Sequence, residues 1–176
     1  MKHTAKRFKA AILLFSLMTI VFACKKGDEG PAGEPGTANV IFSPWMKTTS
    51  WIPSTTSTGS GKSTFYFDIN APQVTQGIID SGTVIVYMKF VNDPDGTGIA
   101  KPLPSVYYNL GGASTQYRFQ HGLMLSKVRV IADVIPSGTP ANSNDVRYII
   151  IPGGVPLTGR MDMSYEAVCE RYGIPK

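Results

Sequence analysis

The sequence predicts an all-β domain: an antiparallel β-sandwich, immunoglobulin-like or jelly-roll-like, with one short C-terminal helix. Three observations predict it. Short runs alternate with a period of two and are rich in Val, Ile, Tyr and Phe, the residues that fit a pleated, half-buried surface. Turn-forming clusters separate them at Thr55–Gly61, Asn92–Gly98, Gly111-Gly112, Pro136–Asn144 and Pro152–Pro156. That spacing suits roughly seven strands in a sandwich or barrel-like sheet pair. Only one stretch, close to the C-terminus, carries a helical stripe.

In chain order, the first apolar run contains Pro44, which places that strand at an edge or a bulge because proline cannot donate to the ladder. Ser63–Ile69 alternates, with Phe65, Phe67 and Ile69 on one face and Thr64, Tyr66 and Asp68 on the other. Thr83–Val91 is apolar on both faces, as a central strand is. Lys127–Val134 puts Val128, Val130, Ala132 and Val134 together, opposite Lys127, Arg129, Ile131 and Asp133. Ser114–Gln120 alternates weakly, and Val146–Ile151 is short and β-branched. In the helix, Ser164 serves as N-cap and Tyr165, Val168, Cys169 and Tyr172 form the buried stripe. Gly173 and Pro175 end it.

The chain divides into residues 1–23, 24–38 and 39–176. Residues 1–23 join a basic start (Lys2, Lys6, Arg7, Lys9) to an apolar run from Ala10 to Phe22, the layout of a secretory signal peptide. The run falls short of the roughly 20 apolar residues a membrane span needs. In residues 24–38, glycine recurs every third position at 27, 30, 33 and 36 before Asn39 breaks the register. Such periodicity is what a collagen triple helix requires. Four triplets make a small nucleus, so this segment reads as an extended spacer, with local trimerisation as the other reading. Residues 39–176 form the β-sandwich domain.

Electrostatics exclude one class of partner. The chain has 17 Lys+Arg against 12 Asp+Glu, a net charge of +5. Residues 1–23 hold four bases and no acid, so the remainder carries thirteen bases against twelve acids, a net of +1. A nearly neutral domain has no footprint for nucleic acid.

Catalytic and metal motifs are incomplete. Gly59-Ser-Gly-Lys-Ser-Thr64 has a phosphate-loop look, but Thr56 stands where the first glycine belongs and a strand follows instead of a helix. Asp93 and Asp95 are weak candidates for a calcium site, whose bidentate position is Pro104. Asp-Pro-Asp-Gly reads equally as a β-turn. His121, the one histidine after residue 23, is expected in a turn before Gly122, with no Gly-x-Ser-x-Gly elbow beside it. Asp68, Asp80, Asp133 and Asp162 would have to converge to form a hydrolytic pair. No enzymatic activity and no cofactor are expected. The remaining candidates are Trp45, Trp51, Tyr107, Tyr108 and Tyr117, large polar-tipped rings suited to a sugar or to a protein interface.

Val21-Phe22-Ala23-Cys24 resembles a bacterial lipobox. The resemblance implies cleavage before Cys24, lipidation of its thiol and a lipid anchor in the membrane. Cys169 is then the sole remaining cysteine and no internal disulfide forms. Cys24-Lys-Lys-Gly-Asp-Glu29, the Gly-Pro triplets, Ala38-Asn-Val40, Arg147–Gly154 and the ending through Ile174-Pro175 together resemble collagen-like-repeat lipoproteins of the Bacteroidota. That likeness implies an outer-membrane location, on the cell surface or the periplasmic face. It further implies a non-enzymatic accessory or binding role toward an envelope protein complex or a glycan. The other reading is a structural, self-assembling envelope lipoprotein.

Overall fold

The computed structural model describes residues 39–56, 61–109, 114–153 and 162–176. The signal segment, Cys24 and the Gly-x-y triplets lie outside these residues. Ten strands follow in chain order: β1 (Ile41–Phe42), β2 (Met46–Lys47), β3 (Ile52–Pro53), β4 (Ser63–Asn70), β5 (Thr83–Lys89), β6 (Ala100–Pro102), β7 (Ser105–Tyr108), β8 (Gln116–Met124), β9 (Lys127–Ile135) and β10 (Asp145–Ile151). Two helices, α1 (Gln76–Ser81) and α2 (Tyr165–Tyr172), complete the described elements. None of the described helices is long and apolar enough to cross a membrane.

The strands form two antiparallel sheets packed face to face. One runs β1–β10–β5–β6, with β2 also on β10; the other runs β3–β4–β9–β8–β7. Pro44 splits the first edge strand in two, and Ser43 bridges the gap by donating its N–H to Tyr148 O at 3.0 Å. The chain changes sheet on both flanks through short crossovers, Thr48–Trp51 between β2 and β3 and Leu103-Pro104 between β6 and β7.

Burial follows the period-2 reading. Val128, Val130, Ala132 and Val134 of β9 are fully buried, and the first three pack in one core with Val86, Met88, Val146 and Ile150 of the facing sheet. On the outer face of the same strand, Arg129 pairs with Asp68 of β4 at 2.6 Å and lies 3.9 Å over the Tyr66 ring. Cross-strand neighbours of this kind stabilise a wet sheet face. The second face of β5 and β10 is covered by α2, where Tyr165, Val168 and Cys169 pack with Ile174 on Ile85, Tyr87, Ile149 and Ile151. The double apolar character of β5 therefore reports a three-layer arrangement of helix, sheet and sheet. Ser164 Oγ accepts from Ala167 N, and Gly173 closes the helix at φ +64°, a conformation that costs glycine little.

One helix was expected, and the described residues contain two. α1 is a short helix capped by Thr75 Oγ1, which accepts from Ile78 N. Ile78 and Ile79 are its sole large apolar residues, too few to print a helical period.

Arg147 is the one cation buried among the described residues. Its Nε donates to Ser43 O at 2.8 Å, and Nη1 donates to Tyr165 Oη at 2.6 Å and Pro175 O at 2.7 Å. Among the described residues no carboxylate pairs with it; the rings of Phe42, Trp45 and Tyr165 lie within 4.8 to 6.0 Å instead. Backbone dipoles and ring quadrupoles thus replace a counter-ion. Arg147→Ala orphans three acceptors and is expected to lower unfolding free energy by about 2–4 kcal/mol, read from urea denaturation. Arg147→Lys, unable to reach both carbonyls from one ammonium, should recover less than half of that loss.

Candidate functional site

At one end of the sandwich β5 and β9 finish while β8 and β10 begin, so the β5–β6, β7–β8 and β9–β10 connections all leave from that end. Between them is a pocket of about 200 Å³ lined by Phe90, Val91, Asn92, Tyr117, Phe119, Thr139, Ala141 and Asn144. Period-2 geometry supplies its wall: Tyr117 and Phe119, two apart on β8, turn the same way with rings within 9° of parallel. Phe90 meets Phe119 at 4.8 Å between centroids. Trp51, on the crossover, packs tilted on Phe119 at 6.2 Å and donates Nε1–H to Ala141 O at 2.9 Å, which ties the pocket loop to the opposite sheet. Asn144 is buried with both ends of its amide bonded: Oδ1 accepts from Val91 N and Nδ2 donates to Ala141 O.

Beside the pocket, the Asn92–Gly98 loop is held by an internal cation. The Asp93 side chain is 0 % exposed. It accepts from Lys101 Nζ at 2.8 Å, Tyr107 Oη at 3.0 Å and Asp95 N at 3.0 Å. Lys101 also pairs with Asp95. Burial alone would push the Asp93 carboxyl up, but the bonds from Lys101, the Asp95 backbone and Tyr107 outweigh it and hold it below its ordinary value. Tyr107 is pushed up to about 12, chiefly by burial. Asp93 and Asp95 thus share the ammonium of Lys101 in this structure. Among the described residues no group of three or more His, Cys, Asp or Glu side chains gathers in a metal-holding arrangement.

The five aromatic candidates do not form one surface. Trp51, Tyr107 and Tyr117 converge at the loop end through Phe90 and Phe119. Trp45 lies on the far side of the other sheet, 5.5 Å from Tyr165 and under Lys89 at 4.3 Å. Tyr108 points out from β7, 71 % exposed, because its neighbour Tyr107 takes the inward side. His121 is in β8, not in a turn; burial lowers its pKa, offset in part by a bond with the Val84 backbone. Lys62 pairs with Asp133 at 3.1 Å, and residues 57–60 of the phosphate-loop look-alike lie outside the described residues. The four carboxylates do not gather: Asp68 and Asp133 are on the outer face of one sheet, separated by the rows Phe65–Ala132, Tyr66–Ile131 and Phe67–Val130, Asp80 is in α1 and Asp162 precedes α2. Phe90, Phe119, Asn144 and Lys101 were missed. Phe119 alone had a visible signal, its spacing of two from Tyr117.

No protein-family model, curated protein or solved structure matches this chain.

Asp68, held below its ordinary 3.8 mainly by the bond from Arg129, and Asp93 both contribute stability that is complete above the unfolded value and lost as pH falls through the folded one. Buried neutral His121, whose pKa is lowered, adds a loss that begins as pH falls below about 6.5, so thermal melts should decline gently from there and fall more steeply below about pH 4. Asp93→Asn and Asp68→Asn should melt lower at pH 7 and show a shallower acid limb.

Proposed function

We propose that this chain is a lipid-anchored, non-enzymatic binding protein of the bacterial outer membrane, whose loop-end pocket takes a sugar ring of an envelope glycan. The observation that carries the reading is the pocket: one wall of Phe90, Tyr117 and Phe119, and a rim of Asn92, Thr139 and the Ala141 loop. An apolar wall for the C–H face of a pyranose and a polar rim for its hydroxyls is the division of labour that small-molecule sites use. The volume suits one ring, not a chain held along its length.

Placement supports it. Ile41 of β1 pairs with Ile150, near the last residue of β10, while the pocket lies at the first residues of β10. Seven strand residues at about 3.3 Å each separate the two ends by about 20 Å. A tether leading into Asn39 would leave the pocket facing away from the bilayer. The non-enzymatic part is supported by the carboxylates: Asp68, Asp93 and Asp133 each already hold a cation. A second reading, contact with an envelope protein complex at the same end, is favoured by exposed Val91, which lines the pocket, and exposed Ile99 on the same β5–β6 connection. In neither reading does the chain need a cofactor.

Titration of the soluble Cys24→Ala protein with monosaccharides and envelope glycan fragments, read by Trp51 fluorescence, should give saturable binding. Tyr117→Ala should weaken it at least ten-fold, while Tyr108→Ala leaves it unchanged. Absence of binding, with a stoichiometric partner recovered on the lipidated protein from solubilised outer membranes, would replace the glycan by a protein.

A further inference from the structure

The end of the sandwich opposite the pocket differs from it in charge. It is built from Asn39–Ser43, the Asn70–Gly82 connection with α1, the β8–β9 turn at Leu125-Ser126, and the last residues of β10 through Gly153. Along these segments and the strand ends beside them the charged side chains are Asp80, whose Oδ1 accepts from Gln76 Nε2 at 2.7 Å, and Lys127, paired with Asp68 at 3.1 Å. The loop end, by contrast, carries Lys47, Lys62, Asp93, Asp95, Lys101 and Asp145. From the charge-poor end projects a two-residue apolar tip: Leu125 is 61 % exposed and the adjacent Met124 37 %. Ser126 holds the tip in shape; its N–H donates to Val74 O at 2.8 Å and its carbonyl accepts from Ala71 N at 2.9 Å. A rigid turn therefore presents these side chains instead of folding them back.

We infer that this end of the domain rests on a lipid surface, with Met124 and Leu125 inserted at the level of the acyl-chain boundary. The inference depends on the lipid anchor at Cys24. Residues 24–38 are fifteen residues of chain leading to Asn39, on the same end as the tip. At no more than about 3.6 Å per residue such a length of chain spans at most about 54 Å, which keeps the tip within reach of the surface to which the thiol is tied. Two apolar residues bind a bilayer too weakly to recruit a free protein. Tethering changes that balance, because it converts contact into an intramolecular event at an effective concentration on the order of millimolar. The flanks matter as much as the tip: the charge nearest Leu125 in the chain is the cation Lys127, which suits anionic headgroups, and among the described residues of the turn there is no carboxylate.

The test uses the full lipidated chain in vesicles of phosphatidylethanolamine and phosphatidylglycerol. A nitroxide is attached at Leu125→Cys, or at Thr139→Cys on the pocket loop as the distal control. Cys169 is buried and Cys24 acylated, so neither takes the label. The 125 label should gain several-fold in collision with oxygen relative to a water-soluble nickel chelate when the protein is on vesicles. The 139 label should stay aqueous, and both should read aqueous in the Cys24→Ala protein. With the label moved to Met124→Cys, adding Leu125→Asp should return it to water. A chain that co-floats with vesicles but keeps its 125 label in water overturns the contact alone. A chain that does not co-float overturns the anchor and the contact together.

Discussion

One guanidinium connects the two ends of the described domain. Arg147 projects from the second strand of its sheet and bonds the carbonyl of Ser43, four residues beyond the first described residue, and that of Pro175, the penultimate residue of the chain. Tyr165 adds the start of the last helix. Removing a full positive charge from water without a carboxylate is costly, so the site is viable only while every acceptor stays in place. The constraint runs both ways: Pro44 can break the edge strand because Ser43 is held from behind, and α2 can lie flat on β5 and β10 because its first turn and its tail are both pinned. The burial of Ile85, Ile149 and Ile151 follows from that placement.

Charges elsewhere are used differently. On the outer face of the β4–β9 pair, Asp68, Arg129 and Lys127 form a partly exposed lattice with Tyr66 beneath it. At the loop end, Lys101 is drawn under the Asn92–Gly98 turn by two carboxylates and a phenol. The first arrangement decorates a sheet that is already paired. The second gives shape to a loop that has few apolar contacts of its own, and it keeps the edge of the pocket in one position. Loops that form sites on a rigid scaffold commonly need such local fastening.

The layers were legible in the sequence and the site was not. Lys127–Val134, Thr83–Val91 and the Ser164–Gly173 helix could be read because each repeats its pattern long enough to show a period, and each had the expected burial except at Val91, exposed past the end of β5, and Tyr172, which is half-buried. The six-residue helix at Gln76 has no such length. His121 looked like a turn residue because Gly122 follows it, yet that glycine sits inside β8, opposite Arg129. The aromatic set failed for a simple reason: sequence supplies ring identity but not which side of which sheet a ring faces. Tyr107 and Tyr108 were separated by strand parity, which was foreseeable. Trp45 and Trp51 were separated by the crossover between sheets, which was not. Asn144 and Lys101 act through partners dozens or a few residues away, and neither position carries a local signature.

The two flanking crossovers have a further effect. Because the chain moves from one sheet to the other within Thr48–Trp51 and again at Leu103-Pro104, each flank offers only strands of two to four residues, one of them ending in Pro53. An open edge is a template on which a neighbouring copy can add its own strand, and the hazard grows with local crowding. Molecules held at high density on a common surface, all facing one way, meet flank to flank far more often than molecules free in solution. Strands this short give such encounters almost no ladder to extend, so a dense layer of these domains can remain a collection of separate molecules.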